Sequence, residues 1–265
     1  MNKLKQIITI AGIVWLEMVR RKELSVLLIL LATLLTSLLS FDVFGLSQVS
    51  GYVKDMGLLT VWVLAWILTI NTSVRQLPQE EQRGTLFPLL AKPVSRLTLI
   101  IGKWLGVWSI TCLSLVCFYL TVCLAVWIKG GAFNFSTLIQ AILLHAAALA
   151  LISSLGLAFS TRLNHDAATV TTYLITGAAF LLLPRVPAML AEAKGPASYA
   201  IFSVYYLFPH FELFDLRRRL VHDWGPVNWL TLTEILLYAA LMTIVFISLA
   251  WLGYRKRRFS RGDIL

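Results

Sequence analysis

Residues 99–128 read LIIGKWLGVWSITCLSLVCFYLTVCLAVWI, and a run of this length and apolarity decides the fold. A helix needs about 20 apolar residues to cross roughly 30 Å of hydrocarbon, so this segment is long enough to span a bilayer. Five further runs meet the same test with few charges: residues 24–44, 56–74, 138–160, 167–183 and 229–254. The run 167–183 is the shortest and is rich in threonine, with Thr169, Thr171, Thr172 and Thr176. The chain as a whole agrees. Of its 265 residues 58% are hydrophobic and 14% charged, with a mean hydropathy of +0.80. A soluble domain runs near 45–50% apolar and about 25% charged, so a single aqueous core is excluded.

The 23 Lys+Arg against 13 Asp+Glu give a net charge of +10. In a membrane chain this excess marks cytoplasmic ends and loops rather than nucleic-acid binding. With six spans, the basic residues concentrate on one side. They are Lys3, Lys5, Arg20, Arg21 and Lys22 before the first span, Arg75, Arg83, Lys92, Arg96 and Lys103 after the second, Arg162, and the tail Arg255, Lys256, Arg257, Arg258 and Arg261. Both termini are therefore expected to be cytoplasmic. Residues 1–23 read as an amphipathic helix in the inner interface, with Leu4, Ile7, Ile8, Ala11, Val14, Trp15, Met18 and Val19 at helical spacing. Between spans five and six, the outer loop 184–228 contains the aromatic stretch 197–211, bracketed by Pro196 and Pro209. About 15 residues reach only some 22 Å as a helix, so it reads as a short re-entrant or interfacial helix on the outer face. The expected fold is an all-α integral membrane protein, one membrane domain over 1–265, ending in the basic tail 255–265.

The loop 75–98 is the most informative segment. It reads RQLPQEEQRGTLFPLLAKPVSR over residues 75–96 and runs on into Gly102-Lys103 and Gly106. Pro78 can open a short helix, and Glu80 and Glu81 would sit favourably in its first turn. A charged helix lying parallel to the membrane, with Leu86, Phe87, Leu89 and Leu90 beside it, is a surface for a partner.

The pattern Glu81-x-x-Gly84-Thr85-Leu86, then Leu89-Leu90-Ala91-x-Pro93-Val94-Ser95-Arg96, then Gly102-Lys103-x-Leu105-Gly106 resembles the signature of permease subunits of type 2 ABC exporters. Phe87-Pro88 departs from it, where many relatives carry residues that continue the helix. The resemblance implies that this loop is the coupling helix entering a cleft of the ATPase, with Glu80, Glu81, Arg83, Gly84, Thr85, Leu86, Pro93 and Arg96 as coupling residues. It also implies two copies of a cytoplasmic ABC ATPase carrying ATP and Mg, a second permease that is identical or related, and a bacterial or archaeal cytoplasmic membrane. No G-x-x-x-x-G-K-[ST] occurs, so no cofactor is expected on this chain.

Ionisable residues within the spans are few, which argues against an ion-coupled carrier. Asn71, His145, Thr169 and Thr172 are candidates for a polar pathway lining, with interhelical hydrogen bonding as the alternative and packing favoured for His145. Asn164-His165-Asp166 reads as a cap, with Asp166 capping span five, rather than a metal site. Cys112, Cys117 and Cys123 read as buried thiols. Glu212, Asp215 and His222 in the outer loop carry the competing reading: a membrane-embedded enzyme or accessory assembly factor working through that loop. Contact with lipid headgroups or with an outer or periplasmic partner fits the same loop.

Overall fold

The computed structural model describes residues 3–40, 49–78, 95–192 and 196–255. Ten α-helices occur there: α1 (Lys3–Arg21), α2 (Glu23–Ser40), α3 (Val49–Val74), α4 (Arg96–Ile128), α5 (Phe135–Ser160), α6 (His165–Leu182), α7 (Val186–Glu192), α8 (Pro196–Leu207), α9 (Arg217–Val221) and α10 (Trp229–Arg255). Short 3-10 turns at Leu183–Arg185 and Phe211–Phe214 complete the set, and no strand occurs among the described residues. Five helical segments are long and apolar enough to cross a membrane: Ser50–Val74, Arg96–Ile128, Phe135–Ser160, His165–Leu190 and Trp229–Arg255. A shorter apolar helix, Ser25–Ser37, lies where the first span was expected, and the end of that expected span falls in 41–48, outside the described residues.

Side-chain caps start the helices where the sequence changes character. Ser95 Oγ accepts from the Thr98 amide at 3.2 Å and opens α4, and Asn134 Oδ1 accepts from Ser136 and Thr137 to open α5. At α6 the cap is Asn164, whose Oδ1 accepts from the Ala167 amide at 3.0 Å, whereas Asp166 sits inside the first turn. The expected cap is thus displaced by two residues, because the helix begins at His165. At 33 residues, α4 extends about 50 Å, well beyond the hydrocarbon thickness.

The bundle is built on α3, α4 and α5, with α10 and α6 packed against α5 and the α1–α2 pair along α4. Leu58, Val61, Phe118, Leu144, Leu149 and Ile152 are among its buried side chains. The first helix packs by one narrow face. Gln6, Ile10, Val14 and Met18, one residue per turn, are buried against α4, while Leu4, Ile8, Ile13 and Leu16 stay exposed. The seat is made by Gly102 and Gly106. A Cβ at position 102 would stand 2.8 Å from Ile10 Cβ, and one at 106 would stand 2.7 Å from Val14 Cβ. Two glycines a turn apart let the backbones close in, the small-residue solution to helix packing in membranes. Trp15 adds an indole hydrogen bond to Ser109 at 2.7 Å. The cysteines of α4 are half-buried rather than buried.

The stretch between α6 and α10 is more elaborate than one short helix, and the candidate span that starts at His165 runs on into it to Leu190. It contains α7 and α8, and its 208–221 part dips into the bundle, where Phe211, Phe214 and Leu220 join the main core. Gln140 of α5 holds this segment with two hydrogen bonds to the Val227 backbone, at 2.9 and 2.7 Å, and Lys54 of α3 pairs with Asp223 at 3.1 Å.

Candidate functional site

Glu80, Glu81, Arg83, Gly84, Thr85, Leu86 and Pro93 lie in 79–94, outside the described residues, but both flanks of that loop are described. The entering flank is the end of α3 and the turn after it. Arg75 there is 5% exposed. Its two terminal nitrogens grip both carboxylate oxygens of Glu23, and Nη2 also meets the Met18 sulfur at 2.8 Å. A buried guanidinium is tolerable only with such partners. Glu23 opens α2 directly after an elbow at Lys22, whose φ is +54°, and Arg21 pairs with Glu17 at 2.9 Å beside it. Gln76 donates to the Thr72 carbonyl at 3.1 Å and accepts from Lys103 Nζ at 3.3 Å. Lys103, 2% exposed, is thereby tied into the same buried polar cluster. The end of α3 is therefore fastened to the α1–α2 elbow on one side and to α4 on the other.

The leaving flank is fastened to a third element. Arg96, the first residue of α4, donates to the carbonyls of Tyr254 (2.7 Å) and Arg255 (2.8 Å) at the C-terminus of α10, with its guanidinium 5.7 Å from the Tyr254 ring. The last carbonyls of a helix have no partner within it, and a cation there satisfies them and complements the dipole. The sequence marks Arg75 as an orientation signal, Lys103 as that and as part of the motif, and Met18 as one of the apolar residues of 1–23, and gives no such mark to Glu23 or Gln76. The signal that was available is a lysine inside an apolar run, which implies a buried partner.

The candidate lining residues do not form one wall. Asn71, one turn from the C-terminus of α3, borders a cavity of about 370 Å³. The Thr169 and Thr172 hydroxyls both turn back to carbonyls of their own helix, those of His165 and Ala168. His145 is 1% exposed and lies about two-fifths of the way along α5 from its N-terminus. Its ring stacks on Trp62 with centroids 4.1 Å apart, and Nδ1 lies 3.4 Å from the Tyr119 hydroxyl. Above it, Arg217 sits 6.0 Å from the Trp62 ring and 5.9 Å from that of Phe180.

In the outer loop, Asp215 is paired with Arg217 at 2.7 Å, and His222 stacks on Trp224. No group of three or more His, Cys, Asp or Glu side chains placed to hold a metal ion occurs among the described residues. Both of the outer-loop contacts lie within the loop itself, and of these groups only Arg217 reaches rings of the bundle, those of Trp62 and Phe180.

The described residues thus form a multi-pass helical bundle in which both flanks of the 79–94 segment are tied to other helices. A family model described as ABC-2 family transporter protein matches residues 8–264, and the chain belongs to that family. It is thus the membrane permease of an ABC transporter, a class that works with an ABC ATPase. No curated protein matches the chain.

Proposed function

We propose that this chain is the membrane subunit of an ATP-driven exporter, paired with a second permease, identical or related, over two cytoplasmic ATPase copies that carry ATP and Mg. Both termini face the cytoplasm of a bacterial or archaeal cell, and the chain has six spans, α2 being the first. The cargo class is an amphipathic, lipid-linked, peptide or glycan molecule. A variant of the same mechanism sends the motion to an outer or periplasmic partner without cargo passing through.

The observation that carries this reading is the double fastening of the 79–94 loop. A push on it reaches the end of α3 and the start of α4 together. Arg75–Glu23 and Gln76–Lys103 pass the displacement to the α1–α2 elbow and to α4, and Arg96 passes it to α10. Coupling of this kind needs stiff elements with two arrangements rather than a catalytic side chain in this chain. Glu80, Glu81, Arg83, Gly84, Thr85, Leu86, Pro93 and Arg96 are the ATPase-coupling residues of this reading. The test is ATP hydrolysis by the vesicle-reconstituted complex. Arg96→Ala should leave the ATPase bound while lowering its dependence on the permease. The reading fails if Arg96→Ala and Glu81→Arg behave as wild type while alanine at Glu212, Asp215 or His222 abolishes function.

A further inference from the structure

A second cluster of buried apolar side chains, separate from the main core, sits at the end of the bundle that carries the 79–94 loop. Leu77 and Leu99 come from the two flanks of the loop, Leu157 from α5, and Ala250 and Tyr254 from α10. The polar fastenings of the flanks run to the α1–α2 elbow, to α4 and to α10, yet α5 shares this cluster. Two glycines show how closely its C-terminal end is held. A Cβ at Gly156 would overlap Ser73 Oγ and stand 3.2 Å from Ser73 Cβ, and Ser73 lies two residues before Arg75 on the entering flank. A Cβ at Gly253, near the end of α10, would stand 2.5 Å from Oγ1 of Thr161, the residue that caps the C-terminus of α5. Tyr254 and Arg255, whose carbonyls Arg96 holds, follow Gly253 directly. The end of α5 is therefore clasped by both flanks, by Ser73 directly and by Arg96 through the last turn of α10. At each contact a bare helix backbone meets its neighbour with no long side chain between, and interfaces packed this closely shift as units rather than yield. Beyond Thr161 the chain turns through residues 161–164 into α6, whose first turn is capped by Asn164.

We propose that the turn between α5 and α6 is a second moving part of the coupling apparatus, with Gly253 as the residue that positions it. A push that Arg96 delivers to the end of α10 reaches Thr161 across the Gly253 contact and carries the start of α6 with it. The inference rests on the reading of the 79–94 loop as the coupling element, and it adds α5 and α6 to the helices that respond. Gly253 acts through Thr161 and needs no contact with the ATPase or with cargo.

The test is hydrogen exchange, read by mass spectrometry, on the full-length chain in its vesicle-reconstituted complex with the ATPase, with and without a non-hydrolysable ATP analogue. Amides at both places to be compared are hydrogen-bonded and so report local opening: Thr161, Arg162 and Leu163 at the turn, Lys22 and Val26 at the α1–α2 elbow. In the wild type, exchange at both places should change when the analogue binds. Gly253→Leu, which wedges α10 away from Thr161, should lose the change at the turn and keep it at the elbow. Arg96→Ala, which spares the Gly253 contact but cuts it off from the loop, should do the same. The elbow signal shows that each variant is folded and still coupled, so a merely weakened helix end does not reproduce this pattern. A wild type that responds at the elbow but not at the turn, or either variant keeping the response at the turn, overturns the proposal and leaves the coupling loop in place. A wild type that responds at neither place overturns the coupling reading and this inference with it.

Discussion

Replacing Gly106 with leucine should dislodge α1. A Cβ at this position would stand 2.7 Å from Val14 Cβ and 3.0 Å from both the Cα and the carbonyl oxygen of Ala11. Carbon atoms pack at about 3.5–4.0 Å, so even alanine needs α1 to retreat by roughly 1 Å, and two of the three blocking atoms are backbone that no rotamer change can move. A retreat of 0.5–1 Å already forfeits a quarter to a half of each facing contact, and leucine adds three more carbons to the same space. Overpacking of this kind costs about 1–3 kcal/mol. For a chain of this size that lowers the melting temperature by about 2–12 °C. Gly12, on the same helix, has nothing within 4 Å of its would-be Cβ and serves as the control. Gly12→Ala should be neutral or stabilise by up to about 1 kcal/mol through helix propensity. The assays are thermal unfolding in detergent and trypsin cleavage at Arg20, which α1 displacement accelerates. If Gly106→Leu melts within about 1 °C of wild type and is cut no faster, α1 is not seated on these glycines and the packing argument is wrong.

The buried ion pair has a directional test. Glu23→Ala leaves the Arg75 guanidinium buried without its carboxylate, whereas Arg75→Met leaves a Glu23 that is 31% exposed and can hydrate. Glu23→Ala should therefore destabilise by about 3 kcal/mol and Arg75→Met by less, read as melting temperatures. Gln140→Leu removes two hydrogen bonds to Val227, and one broken donor–acceptor set of this kind costs about 1–3 kcal/mol. Its outer segment should become accessible to trypsin at Arg218 in outward-facing vesicles. Arg96→Ala should fray the last turn of α10, at a cost of about 1 kcal/mol, and quicken hydrogen exchange at its C-terminal amides.

Five of the six expected spans were legible in the sequence because a bilayer imposes a length on any apolar run, whatever packs beside it, while the first is matched by a shorter apolar helix, Ser25–Ser37. Residues 99–128 and 229–254 announce themselves without knowledge of their neighbours. The packed face of α1 was not legible in the same way. Its apolar stripe is wide enough for either a bilayer or a neighbouring helix to cover it, so the pattern alone does not say which part packs. What selects Ile10 and Val14 is a pair of glycines far along the chain, and that pairing is a tertiary fact. Arg96 illustrates the same point. The resemblance names it as a coupling residue, and nothing in the sequence says that it also hydrogen-bonds the end of α10. Asn164 and Asp166 are both competent caps, and only the first helical residue, His165, decides between them. Lys103 carried a readable warning, a charge in an apolar run, but its partner Gln76 becomes a neighbour only through the antiparallel packing of α3 and α4.

The most direct measurement is affinity purification of the full-length chain in detergent, comparing wild type, Glu81→Arg and Gly84→Pro, with mass spectrometry of what accompanies it. The account predicts an ABC ATPase in about equal amount with the wild type, lost from both variants while the permease itself keeps its melting temperature. An ATPase that stays bound to both variants, or none with the wild type, contradicts coupling through this loop.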